Sequence, residues 1–431
     1  MRQLIYVMTP LAHRHLFQQT SVQITRAIFL LITAVGPSSF AEEPISLEKA
    51  VHIAVTQTDP SVLRYGERVK ALEHRSVAAG QLPDPELNLG FANWPVESFD
   101  YDQEPMTQIR AGIRQRFPKG KSLSILSERK NAEATAEIAR GALRQLEISL
   151  ATKRAWYELY YLGFAKDVVD ESHEAVSELV DVVQASFATG LQNKQDLLRA
   201  ELELSLLEDR ALDIERRIQQ QQADLARFIG ADATRPIERR LAQLSELTSI
   251  DELDAALTRH PSVAIQDALI AGSNLGIDLA KEQYKPGISL DAGYGARGGN
   301  RADFASVMVS VQVPLFPDKR QDKVLAASEQ EYAAAQHDRD SVLLDLRRQA
   351  LRARADIERL SKRVNLYKDV VINRAEGAAF AALDGYQNQV SDFAELIRSR
   401  LSALDTTLKL RRLEADLGRA HADLDFAMGR Q

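Results

Sequence analysis

All fourteen prolines lie at or before Pro317, and two long stretches contain none: Lys119 to Arg235, and Asp318 to the last residue, Gln431. Proline inside a helix removes a hydrogen bond and clashes with the preceding turn, at about 3 kcal/mol, so stretches free of it can be continuous helix. Both are rich in Ala, Leu, Glu, Gln, Arg and Lys. The chain also repeats itself. Leu47–Val51 followed by Asp59-Pro60-Ser61-Val62 matches Leu253–Leu257 followed by His260-Pro261-Ser262-Val263. Gln81-Leu82-Pro83 matches Gln283 to Pro286, the run ending Phe117-Pro118 matches that ending Phe316-Pro317, and Phe187–Leu197 matches Tyr386–Leu396. Internal duplication sets the fold class, so the chain reads as two copies of one plan.

The chain is long enough for two or three ordinary domains, and 45% hydrophobic residues suffice for a core. A net charge of −7 without a basic stripe gives no reason to expect a nucleic-acid partner. The absence of cysteine excludes disulfides, thiolate ligands, cysteine nucleophiles and an acylated N-terminal cysteine. Near the N-terminus, Arg26 precedes the apolar run Ala27–Val35, a Gly36-Pro37 break and Ser39-Phe40-Ala41. That order predicts a secretory signal over residues 1–41; the run is too short for a membrane span. No later stretch is apolar for the length of a transmembrane helix.

A first helix is expected from a cap at Ser46 to about Gly80. The apolar period then changes from 3.6 to 2. Leu87, Leu89 and Phe91 alternate with small and polar residues, as do Ile109, Ala111 and Ile113. The second half repeats this at Ile288, Leu290, Ala292 and Tyr294, and at Val307, Val309, Val311 and Val313. Strands are predicted at about 86–94, 107–117, 287–296 and 305–315, each about the length of a tilted membrane strand. Hairpins half-buried on helices in a soluble protein would show the same alternation. Four strands cannot close a barrel, for which about eight is the minimum, and open edges cannot sit in lipid. A spanning version therefore needs several chains, and three would give twelve strands. Its polar face would place Arg110, Arg114, Arg116 and Asp291 in the lumen, with Trp94, Phe99, Tyr101 and Phe304 near an aromatic girdle.

From Ser122 to about Ser186 the sequence forms helix throughout, roughly 95 Å at 1.5 Å per residue. It reverses at Phe187-Ala-Thr-Gly190 through Asn193 and returns from Lys194 to Ile229. The second copy runs from Lys319 to Leu383, reverses through Asp384-Gly385 and Gln389, and returns from Ser391 to Met428. The fold class is α+β, mostly α. Its expected parts are a first repeat over 42–230, a connector over 231–252 and a second repeat over 253–431.

With its duplication, two Phe-Pro exits and paired tip sequences, the chain from Glu42 to Gln431 resembles the TolC-like outer-membrane efflux family. The resemblance implies a homotrimer in the outer membrane: a 12-stranded β-barrel continuing into a 12-helix periplasmic tunnel. Its partners would be outer-membrane lipid, a periplasmic adaptor protein and an inner-membrane pump. Leu82-Pro-Asp-Pro85, Asn93-Trp-Pro-Val and Arg116-Phe-Pro-Lys-Gly120 are similar to members that serve heavy-metal resistance-nodulation-division pumps. The family gates its tip with polar links and an acidic ring. By position Asp196 and Tyr386 match a linked pair, and Glu395 matches a ring carboxylate. The second ring position is Arg398, and Gln389 stands where a tip glycine is usual. Gly190, Leu191, Gly385, Val390 and Ser391 fall at the expected docking tips. Each of these residues is equally well read as an ordinary polar or turn group at a helix end. Drug-efflux and type I secretion channels remain open alternatives, as does a soluble periplasmic adaptor or scaffold.

No catalytic constellation is present, and the chain reads as a non-enzyme without cofactor or bound metal. Glu171, His173 and Glu174, and His337, Asp338 and Asp340, lack the two inward histidines four apart that a helical metal site needs, and read as solvated faces. Gly293–Gly299 is glycine-rich but ends a strand instead of opening a helix, so it reads as a loop and not a phosphate site.

Overall fold

The computed structural model describes residues 43–57, 59–190, 193–241 and 249–431. The predicted signal segment, Leu191 and part of the connector lie outside them. Residues 44–431 form one unit. Its first half is α1 (Leu47–Thr56), α2 (Pro60–Ala79), β1 (Glu86–Ala92), β2 (Gln108–Phe117), α3 (Ser122–Ala188) and α4 (Lys194–Ile229). Its second half is α5 (Ile250–Leu257), α6 (Pro261–Glu282), β3 (Gly287–Arg297), β4 (Phe304–Gln312), α7 (Gln321–Leu366), α8 (Ile372–Gln387) and α9 (Phe393–Ala427). A wider turn of π-helix, Tyr367–Val371, joins α7 to α8 without a break. The resulting rod equals α3, of 67 residues, in length.

The single helix expected between Ser46 and Gly80 is two helices. Pro60 is the cause: it is tolerated at the first helical position, where its missing N–H has no partner to lose, and Asp59 caps the new helix. The second half breaks in the same way at His260-Pro261. The last strand ends at Gln312, short of the expected 315, because Pro314 has no N–H to continue a ladder.

The four strands make one antiparallel sheet in the order β1-β2-β3-β4. The halves join through β2 and β3, where Gln108 pairs with Arg297 and Phe117 with Ile288. The outer edges of β1 and β4 carry no neighbour among the described residues, so the sheet is open. Trp94 packs edge-on against Phe91 at 5.0 Å and lies 5.5 Å from Tyr101, whose hydroxyl donates to the Ala296 carbonyl at 2.8 Å. These aromatics tie the first hairpin loop to the second hairpin.

The helices pack around α3. Ile148, Trp156, Leu159 and Tyr160 meet Ile45, Leu47, Ala50 and Ala54 of the N-terminal segment and Leu225 and Ile229 of α4. Trp156 is buried with its indole N–H donating to the Ile45 carbonyl at 3.1 Å. A second core joins α5, α7 and α9 through Leu253, Leu257, Leu346, Ile357, Leu413 and Leu424. Gly418 lets α9 approach α3: a Cβ there would stand 2.2 Å from the Tyr157 ring. Below this, Glu158 of α3 is buried among three guanidiniums. Arg217 of α4 reaches it at 2.7 Å and Arg412 of α9 at 2.8 Å, and Arg419 closes the set. Burial pushes this carboxyl up, but Arg419 and Arg412 outweigh burial and hold it below the usual glutamate range.

Candidate functional site

Both helix reversals lie at one end and share one apolar cluster. Val183, Ala200, Phe393 and Ile397 are buried there, with Leu197 and Tyr386 packed against them. The two turns are built alike. Gly190 follows the end of α3 with φ +78°, and its N–H donates to the Phe187 carbonyl at 2.9 Å. Gln389 takes the same place after α8 with φ +58°, donating to Tyr386 at 3.1 Å. Val390 then donates to the Gly385 carbonyl at 2.7 Å, which completes a left-handed helix cap. A side chain at Gly385 would strike the Ser391 hydroxyl, which donates to the Ala382 carbonyl at 3.2 Å. Val390 is 83% exposed at the turn.

The return helices start alike too. Asn193 accepts from the Asp196 N–H at 2.9 Å, and Asp392 accepts from the Glu395 N–H at 2.8 Å. Asp196 and Glu395 are therefore equivalent, each in the first turn of a helix whose dipole favours a negative charge. Glu395 is exposed, and Arg398 one turn on reaches it at 2.5 Å. The carboxylate matched to an acidic ring is thus paired within its own chain, at an exposed site. Tyr386 turns its ring to Phe393, 5.8 Å away, on the same cluster that seats the base of α4.

At the opposite end the sheet sorts its residues by face, because directly paired residues point the same way. One face carries Leu87, Leu89, Phe91, Ile109, Ile113, Leu290, Val307 and Val309, all exposed; Leu89 is 85% exposed and Val307 74%. The other carries Glu86, Arg110, Arg114, Arg116, Ser289, Asp291 and Ser310. Arg114 reaches Asp291 at 2.5 Å, and Arg116 reaches Glu86 at 2.7 Å. The four polar-face residues singled out in the sequence do share one face. Glu86 and Arg297 belong to it as well and were missed. Alternation could have found both: Glu86 is in step with Asn88 and Gly90, and Arg297 is in step with Asp291 but lies one residue past the expected strand end.

Among the described residues no helix is long and apolar enough to cross a membrane, and no group of three or more histidine, aspartate or glutamate residues could hold a metal ion.

No family model and no curated protein matches the sequence. Solved structures do. CusC, whose crystal structures concern folding and transmembrane channel formation, superposes with TM-score 0.75 at 13% identity, covering 89% of this chain and 92% of its own. The outer membrane protein VceC of Vibrio cholerae gives 0.74 at 18% identity, covering 89% and 96%. The outer membrane channel MtrE of Neisseria gonorrhoeae, in its open state, gives 0.71 at 16% identity, covering 89% of each chain. At these identities the likeness establishes the fold, and this chain has the TolC-like fold that those channel proteins share.

Proposed function

We propose that this chain is the outer-membrane channel of a tripartite efflux system, a passive trimeric duct across the periplasm and outer membrane. The observation that carries the reading is the sheet: one face largely apolar and mostly exposed, interrupted by Gln115, the other polar, and both edges without a neighbour among the described residues. In water such a face would bury itself, and in lipid such edges would each leave unmet hydrogen bonds worth several kcal/mol. Three copies joined edge to edge remove both problems, giving twelve strands with the apolar face toward lipid. The long helices then continue the duct as the tunnel wall. Energy comes from a partner pump, reached through an adaptor at the turns around Gly190, Leu191, Gly385, Val390 and Ser391. Asp196, Tyr386, Glu395 and Arg398 line the gate at that end.

Heat-modifiable trimers in outer-membrane fractions support this reading, and quantitative recovery in the soluble periplasm overturns it in favour of a helical adaptor. For the gate, Asp196→Ala combined with Tyr386→Phe raises single-channel conductance in planar bilayers; unchanged conductance removes these residues from it. The finer reading, export of heavy-metal cations beside a resistance-nodulation-division pump, rests on the hairpin sequence from Leu82 to Gly120. Its discriminating measurement is loss of metal tolerance, without loss of drug tolerance, when the gene is deleted.

A further inference from the structure

We infer that the strand-lined part of the duct prefers anions, and that Arg110 sets this preference; the inference rests on the trimeric reading above. The polar face carries Arg110, Arg114, Arg116 and Arg297 against only Glu86 and Asp291 among the described residues of the strands. Both carboxylates are already engaged. Asp291 is bound by Arg114, and Glu86 lies 2.7 Å from Arg116 and 4.0 Å from Arg114. Arg297 keeps its charge but is clamped at the strand end, donating to the Ala302 and Pro105 carbonyls with its guanidinium 4.0 Å from the Phe304 ring centroid.

Arg110 differs from all of these. Its side chain is exposed and makes no ion pair or hydrogen bond among the described residues. Its direct neighbours across the sheet are Gly90 and Gly295, and the next row on the same face holds Gly112 and Gly293. The other side chains of those two rows, Asn88, Phe304 and Ser306, and that of Gln108, whose amide lies over Gly295, carry no charge to offset it. Three copies of a barrel place three such guanidiniums at one height, among glycines and uncharged side chains, inside a low-dielectric wall. A ring of arginines in that setting raises the local concentration of anions and repels cations. At the tip, Glu395 is paired with Arg398, which leaves Asp196 as the carboxylate that opposes this preference. The cargo class that fits is an anionic solute, or a metal carried as an anionic complex, in place of the bare heavy-metal cation of the finer reading above.

The test is the reversal potential of the full-length trimer in a planar bilayer under a KCl gradient. Chloride should be favoured over potassium by about threefold or more, the scale on which charged rings set selectivity. Arg110→Gln should bring the ratio toward unity, and Arg110→Glu should invert it. Neither change removes a contact, and conductance in the same recordings reports that each variant is folded and inserted. A potassium-preferring wild type, or a ratio unmoved by both variants, overturns the inference. Absence of any conductance in the wild type overturns the duct itself, a separate outcome.

Discussion

Asp59 and His260 hold the same place in the two halves, each capping a proline-started helix while gripping the last turn of the return helix in its own half. Asp59 accepts from the Ser61 N–H at 2.6 Å and from Arg227 at 2.7 Å. His260 accepts from the Ser262 N–H through Nδ1 at 3.1 Å, and its Nε2, 3.1 Å from the Phe426 carbonyl, carries the proton donated there. One grip is an ion pair, and the other requires a neutral imidazole.

The two halves therefore meet acid differently. The hydrogen bond from Arg227 holds Asp59 well below the usual carboxylate range, so this grip survives until strongly acid pH. Burial lowers His260 below the usual histidine range, which outweighs the Phe426 contact. A lowered folded pKa gives stability that is full above about 6.5, the unfolded histidine value, and is lost as pH falls through the folded value. Thermal melting should fall across that window, and His260→Asn, which keeps an acceptor for Ser262, should flatten the slope. Half-buried His421, also lowered by burial and facing Asp425, supplies a remainder. An undiminished slope in the variant would locate the acid sensitivity elsewhere.

The tip turns offer a test of backbone strain. Gly190 and Gln389 share a left-handed conformation that glycine adopts freely and glutamine does not. Gly190→Ala should cost about 1 kcal/mol, while Gln389→Gly should gain about 0.5 kcal/mol once glycine's extra chain entropy is set against the relieved strain. Denaturant unfolding with midpoints compared at constant slope measures both. Equal signs for the two changes would contradict the shared geometry.

Proline spacing and alternation exposed most of the architecture because both are local: a helix tolerates no interior proline, and a strand repeats every second residue. The reversal at Gly190 and the cap at Asn193 were legible for the same reason. The break at Pro60 was overlooked although Asp59-Pro60 is a cap followed by proline at a first helical position, a local start signal. Two things were not legible. The π turn at Tyr367–Val371 leaves no compositional mark. The Arg114 to Asp291 contact depends on pairing strands from opposite halves, which no local pattern specifies. At the proposed gate, Glu395 and Arg398 are one turn apart and their pairing was readable; it weakens the acidic ring that position alone suggested.

That pairing gives a third prediction. Arg398→Ala releases the Glu395 carboxylate, and three copies would then form an uncompensated acidic ring. Block of the channel by a trivalent cation added on the periplasmic side should strengthen by about tenfold, in the manner of other carboxylate rings. Glu395→Gln in the same background should abolish the gain. Block that is unchanged in Arg398→Ala would place Glu395 outside the conducting path.

The buried Glu158 is the most exacting test of how the helices hold together. It alone pairs with Arg217 from α4 among the described residues, and it shares both Arg412 and Arg419 of α9 with Asp416. Glu158→Gln keeps the shape but leaves three partly exposed guanidiniums facing one another around a buried neutral side chain. Removing one partner of a buried ion pair costs about 3–5 kcal/mol, more than the pair itself contributes. The same linkage predicts acid sensitivity in the wild type: stability is full above the ordinary glutamate range and is lost as pH falls through the lowered folded value. The glutamine variant should unfold early in denaturant and lose that acid dependence, and Arg217→Met in the same background should recover part of the loss. Without that recovery, repulsion among the guanidiniums is not what destabilises the variant.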